Sequence, residues 1–225
     1  MTNKYQSYAF FDVDNTLINI KSMFSFLEFY EKYSDIQHQI KKSEKAHFLE
    51  LAKNNSNRNL TNKAYYQLFK GVPATHFYQC AQLWSADLIN TLDSLLLEST
   101  VQQLNEHKKS GVGIVFVSGS FPELLEPIIK KLGADACLAT QIVQENGVIT
   151  GEIKPPQTIG DGKALAVQAF LKSHKVSAEQ CYAYGDDISD APMLHAVGSA
   201  TIIIGNEHLE AEAKKHQWKI LQAKN

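Results

Sequence analysis

The stretch Phe10-Phe11-Asp12-Val13-Asp14-Asn15-Thr16-Leu17 constrains this chain more than any other. Two carboxylates stand two residues apart directly behind a short apolar run, and a threonine follows. Tyr5, Ala9, Phe10 and Phe11 have the texture of a buried strand's end. Side chains alternate along a strand, so Asp12 and Asp14 project the same way if the extended backbone continues. A packed interior has nothing to hold two like charges that close. They need a cation between them, or an open polar site. A bare Asp-x-Asp is a weak signal, because surface turns use Asp freely. Behind an apolar run it falls at a strand's carboxyl end, where open α/β sheets place their ligands.

The rest of the chain supplies partners in order. Gly113-Ile114-Val115-Phe116-Val117 reads as a second buried strand that ends in Ser118-Gly119-Ser120. Lys163 opens a helical pattern behind Gly160-Asp161-Gly162. Cys181-Tyr182-Ala183-Tyr184 is a third short strand, ending in Gly185-Asp186-Asp187-Ile188-Ser189-Asp190. Three strand ends therefore carry carboxylate, hydroxyl and carboxylate, and a helix start carries an amine. After about residue 93, strands and helices alternate, which means βαβ units and a parallel sheet. Residues 141–151, with Asn146-Gly147 inside, have the pattern of a β-hairpin.

The segment 19–92 has a different texture. Met23, Phe24, Phe26, Leu27 and Tyr30 recur at helical spacing, as do Tyr65, Tyr66, Leu68 and Phe69, and then Phe77, Cys80, Ala81, Leu83, Trp84 and Leu88. This predicts a small helical bundle inserted after strand one. The Asn-rich run from Asn54 to Asn59 is expected to be a loop, with Thr61 capping the next helix and Pro73 opening another.

With these motifs in view the chain resembles the haloacid dehalogenase (HAD) superfamily. The resemblance rests on Asp12-x-Asp14-x-Thr16, Ser118, Lys163, and Gly185-Asp186 with Asp190, which recur in that order. Within it the chain looks most like subfamily IB, the phosphoserine-phosphatase-like group, through Thr150-Gly151, Gly162-Lys163, Tyr184-Gly185-Asp186, Pro192-Met193-Leu194, Leu209 and Trp218. The resemblance implies a Rossmann-like parallel-sheet core over residues 1–18 and 93–225, and a helical C1-type cap over 19–92 that closes over the site. It implies Mg²⁺ held by the Asp12 carboxylate, the Asp14 backbone carbonyl and the Asp186 carboxylate. Asp12 is then the nucleophile and Asp14 the general acid and base, with Thr16 hydrogen-bonding near them. Ser118, Lys163 and the Gly119 backbone, with Thr16, form the implied phosphate-binding set. An acid at the position of Asp14 fits phosphatases and phosphomutases; dehalogenases lack one there, and ion-pumping ATPases carry Thr.

Two positions depart from the phosphoserine phosphatases. They carry an acid shortly after the Thr, where the substrate's amine binds, and here the residue is Lys21. The fourth motif holds an extra acid, Asp187, which suits equally a charge at the site or a helix N-cap. Asp190 is expected to orient Lys163 or a metal-bound water. Arg58 is the chain's single arginine, a rigid fork suited to carboxylate or phosphate.

Composition narrows the partners. A formal net charge of −2 gives no global field for nucleic acid or a membrane surface. No apolar stretch approaches the roughly 20 residues of a membrane span. The N-terminus lacks the marks of a signal peptide, and Cys80, Cys137 and Cys181 have no metal spacing, so the cytoplasm is expected. The eight histidines are scattered and read as having no role, with His47 and His76 the first exceptions. The expected protein is a Mg²⁺-dependent phosphatase of a small phosphorylated metabolite, monomeric or homodimeric. A phosphomutase or phosphotransferase and a non-catalytic phosphometabolite-binding module are the alternatives.

Overall fold

The computed structural model describes residues 4–54 and 57–223. Its centre is a six-stranded, all-parallel sheet in the order β3-β2-β1-β6-β7-β8. The strands are β1 (Tyr8–Phe11), β2 (Gly113–Ser118), β3 (Ala136–Ala139), β6 (Tyr182–Gly185), β7 (Ser199–Ile203) and β8 (Lys219–Leu221). A separate antiparallel hairpin holds β4 (Gln141–Glu145) and β5 (Val148–Lys154). Asn146 and Gly147 turn it with φ of 49° and 77°. Both values are left-handed, as the favoured two-residue hairpin turn requires.

The alternation of β1 sorts the helices into two layers. Tyr8 and Phe10 pack with Val167 and Leu171 of α8 (Asp161–His174), Met193 and Leu194 of α9 (Ala191–His195), and Leu209 and Ala213 of α10 (Glu207–His216). Ala9 and Phe11 pack on the opposite face, toward α6 (Glu98–Lys109) and α7 (Pro122–Leu132). A strand covered on both faces must be apolar throughout, which is why Tyr8-Ala9-Phe10-Phe11 shows no polar alternation.

The chain leaves β1 for β2 on one side and later returns for β6 on the other. Helices lie on opposite faces either side of that change, so a crevice opens beyond the carboxyl ends of the strands. Residues from 19 onward arch over this crevice as α1 (Ser22–Tyr33), α2 (Lys42–Asn54), α3 (Arg58–Gln67), α4 (Ala74–Ile89) and the short α5 (Leu92–Leu95). The inserted helices share one apolar cluster with the α6/α7 face. Phe121, at the entry of α7, meets Phe26, Tyr66 and Phe77 with ring centroids 5.1–6.4 Å apart. Each of these rings is fully buried, worth about 1.5–3 kcal/mol by transfer alone.

Local details correct the sequence reading. The Asn-rich loop is shorter than expected: Asn54 ends α2, and Arg58 and Asn59 already belong to α3. Asn55 and Ser56 lie outside the described residues. Asn57, not Thr61, caps α3, its side chain accepting from the backbone N–H groups of Asn59 and Leu60. Pro73 stands just before α4 and not inside it. Among the described residues no helix is long and apolar enough to cross a membrane.

Candidate active site

Strand geometry delivers Asp12 immediately beyond β1, Ser118 at the end of β2 and Asp186 immediately beyond β6. These are neighbouring strands, so the residues at their carboxyl ends converge. Asp12 continues the pairing with a backbone N–H donated to the Tyr184 carbonyl at 2.9 Å. Lys163 reaches in from the first turn of α8. Its ammonium, nearly inaccessible at 3% exposure, donates to Asp12 Oδ1 at 2.5 Å and Asp190 Oδ1 at 2.6 Å. Burial alone disfavours the ammonium, but the two carboxylates outweigh it and raise the Lys163 pKa. The amine is held as a cation.

Asp190 is saturated by this arrangement. Its Oδ2 accepts the backbone N–H groups of Asp186 and Asp187, each at 3.1 Å. Gly185 makes room for it, since a Cβ there would lie 2.6 Å from Asp190 Cβ. Asp190 thus fixes both the Lys163 ammonium and the turn that carries Asp186. Asp187 is a cap: its Oδ1 accepts from the Ser189 backbone and hydroxyl, closing a capping box, and its Oδ2 accepts from Asn206. Against the cost of burial, the Ser189 N–H and the positive charge of Arg58 hold Asp187 below the usual carboxylate range. It stands apart from the three carboxylates that meet at the crevice floor.

Those three are Asp12, Asp186 and Asp190, with one oxygen of each within 4.8 Å of the others. Thr16 joins two of them, its hydroxyl 3.1 Å from Asp186 Oδ1 and 3.4 Å from Asp12 Oδ2. Lys163 answers Asp12 and Asp190 but makes no ion pair with Asp186. Burial, followed by the charges of Asp12 and Asp190, pushes the Asp186 carboxyl up to about 9. The cluster is short of positive charge beside Asp186. A hard divalent cation would supply it, and an all-oxygen set of Asp12, Asp186 and the Asp14 carbonyl suits Mg²⁺.

Asp14 occupies a separate niche. Its Oδ2 accepts from the Ser22 N–H at 2.8 Å and the Ser22 hydroxyl at 3.0 Å. It thereby caps the N-terminus of α1, whose own N-cap residue Lys21 supplies no side-chain bond. Its Oδ1 is buried without a hydrogen-bond partner among the described residues. Burial first, and then the charge of Asp12, raise its carboxyl to about 7. Sequence reasoning missed Ser22, because nothing in its spacing announces that a strand-end carboxylate eight residues earlier would cap its helix.

A cavity of about 150 Å³ rises from this floor, bounded by Asp12, Asp14, Ser118, Gly119, Lys163, Asp186, Asp187 and Asp190. Lys21 and Arg58 both reach its lining. Its upper wall is helical. Arg58, Thr61, Asn62 and Tyr65 fall on one face of α3, Met23 and Phe24 come from α1, and Phe48 and Ala52 from α2. Lys21 is exposed, with its ammonium 5.7 Å from the Phe24 ring. The Tyr65 hydroxyl is buried and, like Asp14 Oδ1, unpartnered among the described residues. The insert is tied to the β2 loop by two further groups whose role the sequence does not announce. Asn62 Nδ2 and the Tyr66 hydroxyl both donate to the Gly119 carbonyl, at 3.0 and 2.8 Å. Ser118 Oγ accepts from the Ser120 N–H at 3.1 Å, holding that loop tight.

The chain is similar to known proteins. The haloacid dehalogenase-like hydrolase model matches residues 9–195. A probable phosphatase of Mycobacterium tuberculosis is 30% identical over 214 residues, covering 95% of this chain and 74% of that protein. A phosphoserine phosphatase of the same species is 27% identical over 217 residues, covering 94% of this chain and 69% of the other. A solved structure of a protein of unknown function from Bordetella pertussis Tohama I superimposes with a TM-score of 0.78 at 18% identity, covering 96% of this chain and 98% of that one. The chain belongs to the haloacid dehalogenase-like hydrolases. Within them it is a phosphatase, a phosphoric monoester hydrolase.

Proposed function

We propose that this phosphatase hydrolyses a small phosphomonoester through an aspartyl-phosphate on Asp12, with Mg²⁺ as cofactor. The observation that carries the reading is Asp12 on the cavity floor, one oxygen held by Lys163 and the other toward Thr16 and Asp186. A phosphoryl group is multiply charged, so a fixed carboxylate nucleophile divides one slow step into two easier ones. When bound by Asp12, Asp186 and the Asp14 carbonyl, Mg²⁺ would neutralise phosphoryl charge facing the nucleophile.

Asp12 attacks phosphorus and the ester P–O bond breaks. Lys163 and Ser118 hold the equatorial oxygens, where charge spreads in transfer. Asp14 Oδ1, oriented by the two Ser22 bonds on its partner oxygen and without a hydrogen-bond partner among the described residues, gives its proton to the leaving alcohol. It then takes one from the water that attacks the acyl phosphate, which releases inorganic phosphate and restores the Asp12 carboxylate and the Asp14 carboxylic acid. Residues 19–92 act as the cap that excludes bulk water during this sequence.

The upper wall specifies the leaving group. Lys21 and Arg58 are its basic side chains, Phe24, Phe48 and Tyr65 its rings, and Asn62 and the free Tyr65 hydroxyl its neutral polar groups. Such a wall repels an ammonium. It suits a leaving group that is neutral or carries its own anion, such as a sugar, a polyol or a carboxylate. A panel of phosphorylated metabolites tests this, with p-nitrophenyl phosphate as a generic control. Phosphate release without an added acceptor, loss of turnover in chelator and trapping of phosphate on Asp12 are the expected results. Full activity in excess chelator, or phosphate transfer only to an added hydroxyl, overturns the reading.

A further inference from the structure

Histidines separated in sequence come together on the far helical layer. His195 ends α9 and His216 ends α10, and their ring centroids are 4.6 Å apart at 88°. Their positions in the sequence give no sign of this pair, because their meeting is tertiary. Glu212 lies between them, with Oε2 3.2 Å from His216 Nε2 and 3.7 Å from His195 Nε2. Lys215 takes the other oxygen, Oε1, at 3.4 Å. One carboxylate oxygen is thus left facing two imidazole nitrogens.

The spacing has a ligand's signature. One atom from each residue lies within 4.8 Å of the other two. Tetrahedral Zn²⁺, with N and O ligands about 2.0–2.2 Å away, holds them about 3.3 Å apart. Small rotamer changes would close the difference. The backbone beneath does not need to move. Glu212 and His216 are one turn apart on α10, and α9 and α10 are locked to the same core through Met193, Leu194, Leu209 and Ala213. Gln217, at φ 57°, turns the chain so that Trp218 packs against both rings, 4.6 Å from His195 and 5.5 Å from His216. The indole restricts the imidazoles to few orientations. All three ligand residues keep 31–43% side-chain exposure, so an ion can enter and retain solvent.

We propose that His195, Glu212 and His216 form a second metal site, which binds Zn²⁺ through three protein ligands with solvent in the fourth position and pins α9 to α10. Two imidazoles and one carboxylate select a borderline-soft ion, in contrast to the all-oxygen cluster at Asp12 and Asp186, which suits Mg²⁺. None of the three residues borders the catalytic cavity, so the proposal stands whether or not the catalytic reading does.

The test is calorimetric titration of the full chain with Zn²⁺ in saturating Mg²⁺, alongside Co²⁺ titration followed by visible absorption and Trp218 fluorescence. His195→Ala, His216→Ala and Glu212→Gln remove one ligand each from different elements, and Asp186→Asn disturbs only the other cluster. The expected result is one equivalent of Zn²⁺ that each ligand variant loses or binds at least about tenfold more weakly, and that Asp186→Asn retains. Co²⁺ should give the intense bands of a four-coordinate ion, quench Trp218 in the wild type and do neither in His216→Ala. Unchanged stoichiometry and affinity in all three ligand variants overturn the proposal, as does loss of the only Zn²⁺ equivalent in Asp186→Asn.

Discussion

The floor and the roof of the cavity are built on opposite principles. The floor gathers charge: Asp12, Lys163, Asp186 and Asp190 meet where strands end, and almost every oxygen there has a partner. The roof gathers rings: Phe24, Phe48 and Tyr65 line it, and the Tyr65 hydroxyl is left without a partner among the described residues. A floor this coupled tolerates little change, because an unpaired buried charge is costly. A roof of aromatic packing with a few polar tips can be altered with less harm to the fold. On the proposed reading, reaction type belongs to the first and substrate choice to the second.

The sharpest way to break this comparison is at the proposed nucleophile. Asp12→Asn keeps side-chain shape but removes the carboxylate proposed to attack, which is one of the two charges facing Lys163. Turnover should fall on the order of 10⁴-fold or more, with circular dichroism unchanged. Residual activity within tenfold of wild type would detach the chemistry from the floor.

The next effect is structural and lies where roof joins core. Phe26 is fully buried and meets Tyr30, Phe69, Phe77, Trp84 and Phe121. Phe26→Ala should cost about 3–5 kcal/mol through the cavity left behind. Since the insert and the α6/α7 face share one apolar cluster, a single denaturation transition is expected. Two separate transitions would show the insert to be an independent folding unit.

A smaller effect tests how tightly the roof is latched. Tyr66→Phe removes one of two donors to the Gly119 carbonyl and leaves the Asn62 bond in place. The loss should be about 1 kcal/mol. Amide exchange in α3 should quicken, and protection should return when a phosphate analogue binds. Exchange indifferent to both changes would mean that Gly119 is not the latch.

The same division explains what could be read from the chain. β1, β2 and β6 are short apolar runs that end in polar residues, so their positions and the convergence of Asp12, Ser118 and Asp186 follow from period and order. The hairpin was equally plain, because Asn146-Gly147 is demanded by its turn. The roof was legible as helices but not as a surface. Arg58, Thr61, Asn62 and Tyr65 share a helical face only because α3 starts at Arg58 under the Asn57 cap, whereas the Asn-rich run suggested a loop. Ser22, Asn62 and Tyr66 bond to Asp14 and Gly119 across 8, 57 and 53 residues. His195, Glu212 and His216 meet only because α9 and α10 pack on the same apolar cluster. No local pattern encodes contacts of that kind.

The finest test concerns Lys21, where floor and roof meet. It stands at the start of α1, beside the Ser22 that orients Asp14, and its ammonium lies near the Phe24 ring at the cavity edge. In phosphoserine phosphatases, which this chain resembles, an acid near this position meets the substrate's ammonium. A lysine reverses that field, and Arg58 on α3 adds a second positive charge to the same wall, partly answered by Asp187. Wild type should turn over phosphoserine poorly. Because Lys21 is exposed, solvent screens it, and its contribution should be modest. Lys21→Glu should raise KM for an anionic preferred substrate roughly three- to tenfold while kcat stays nearly level, since the contact is made equally in ground and transition states. The same variant should improve relative use of phosphoserine, and the KM effect should shrink at high salt. Efficient phosphoserine hydrolysis by the native protein, or an identical substrate profile in Lys21→Glu, would move specificity away from this edge and onto the rings of the roof.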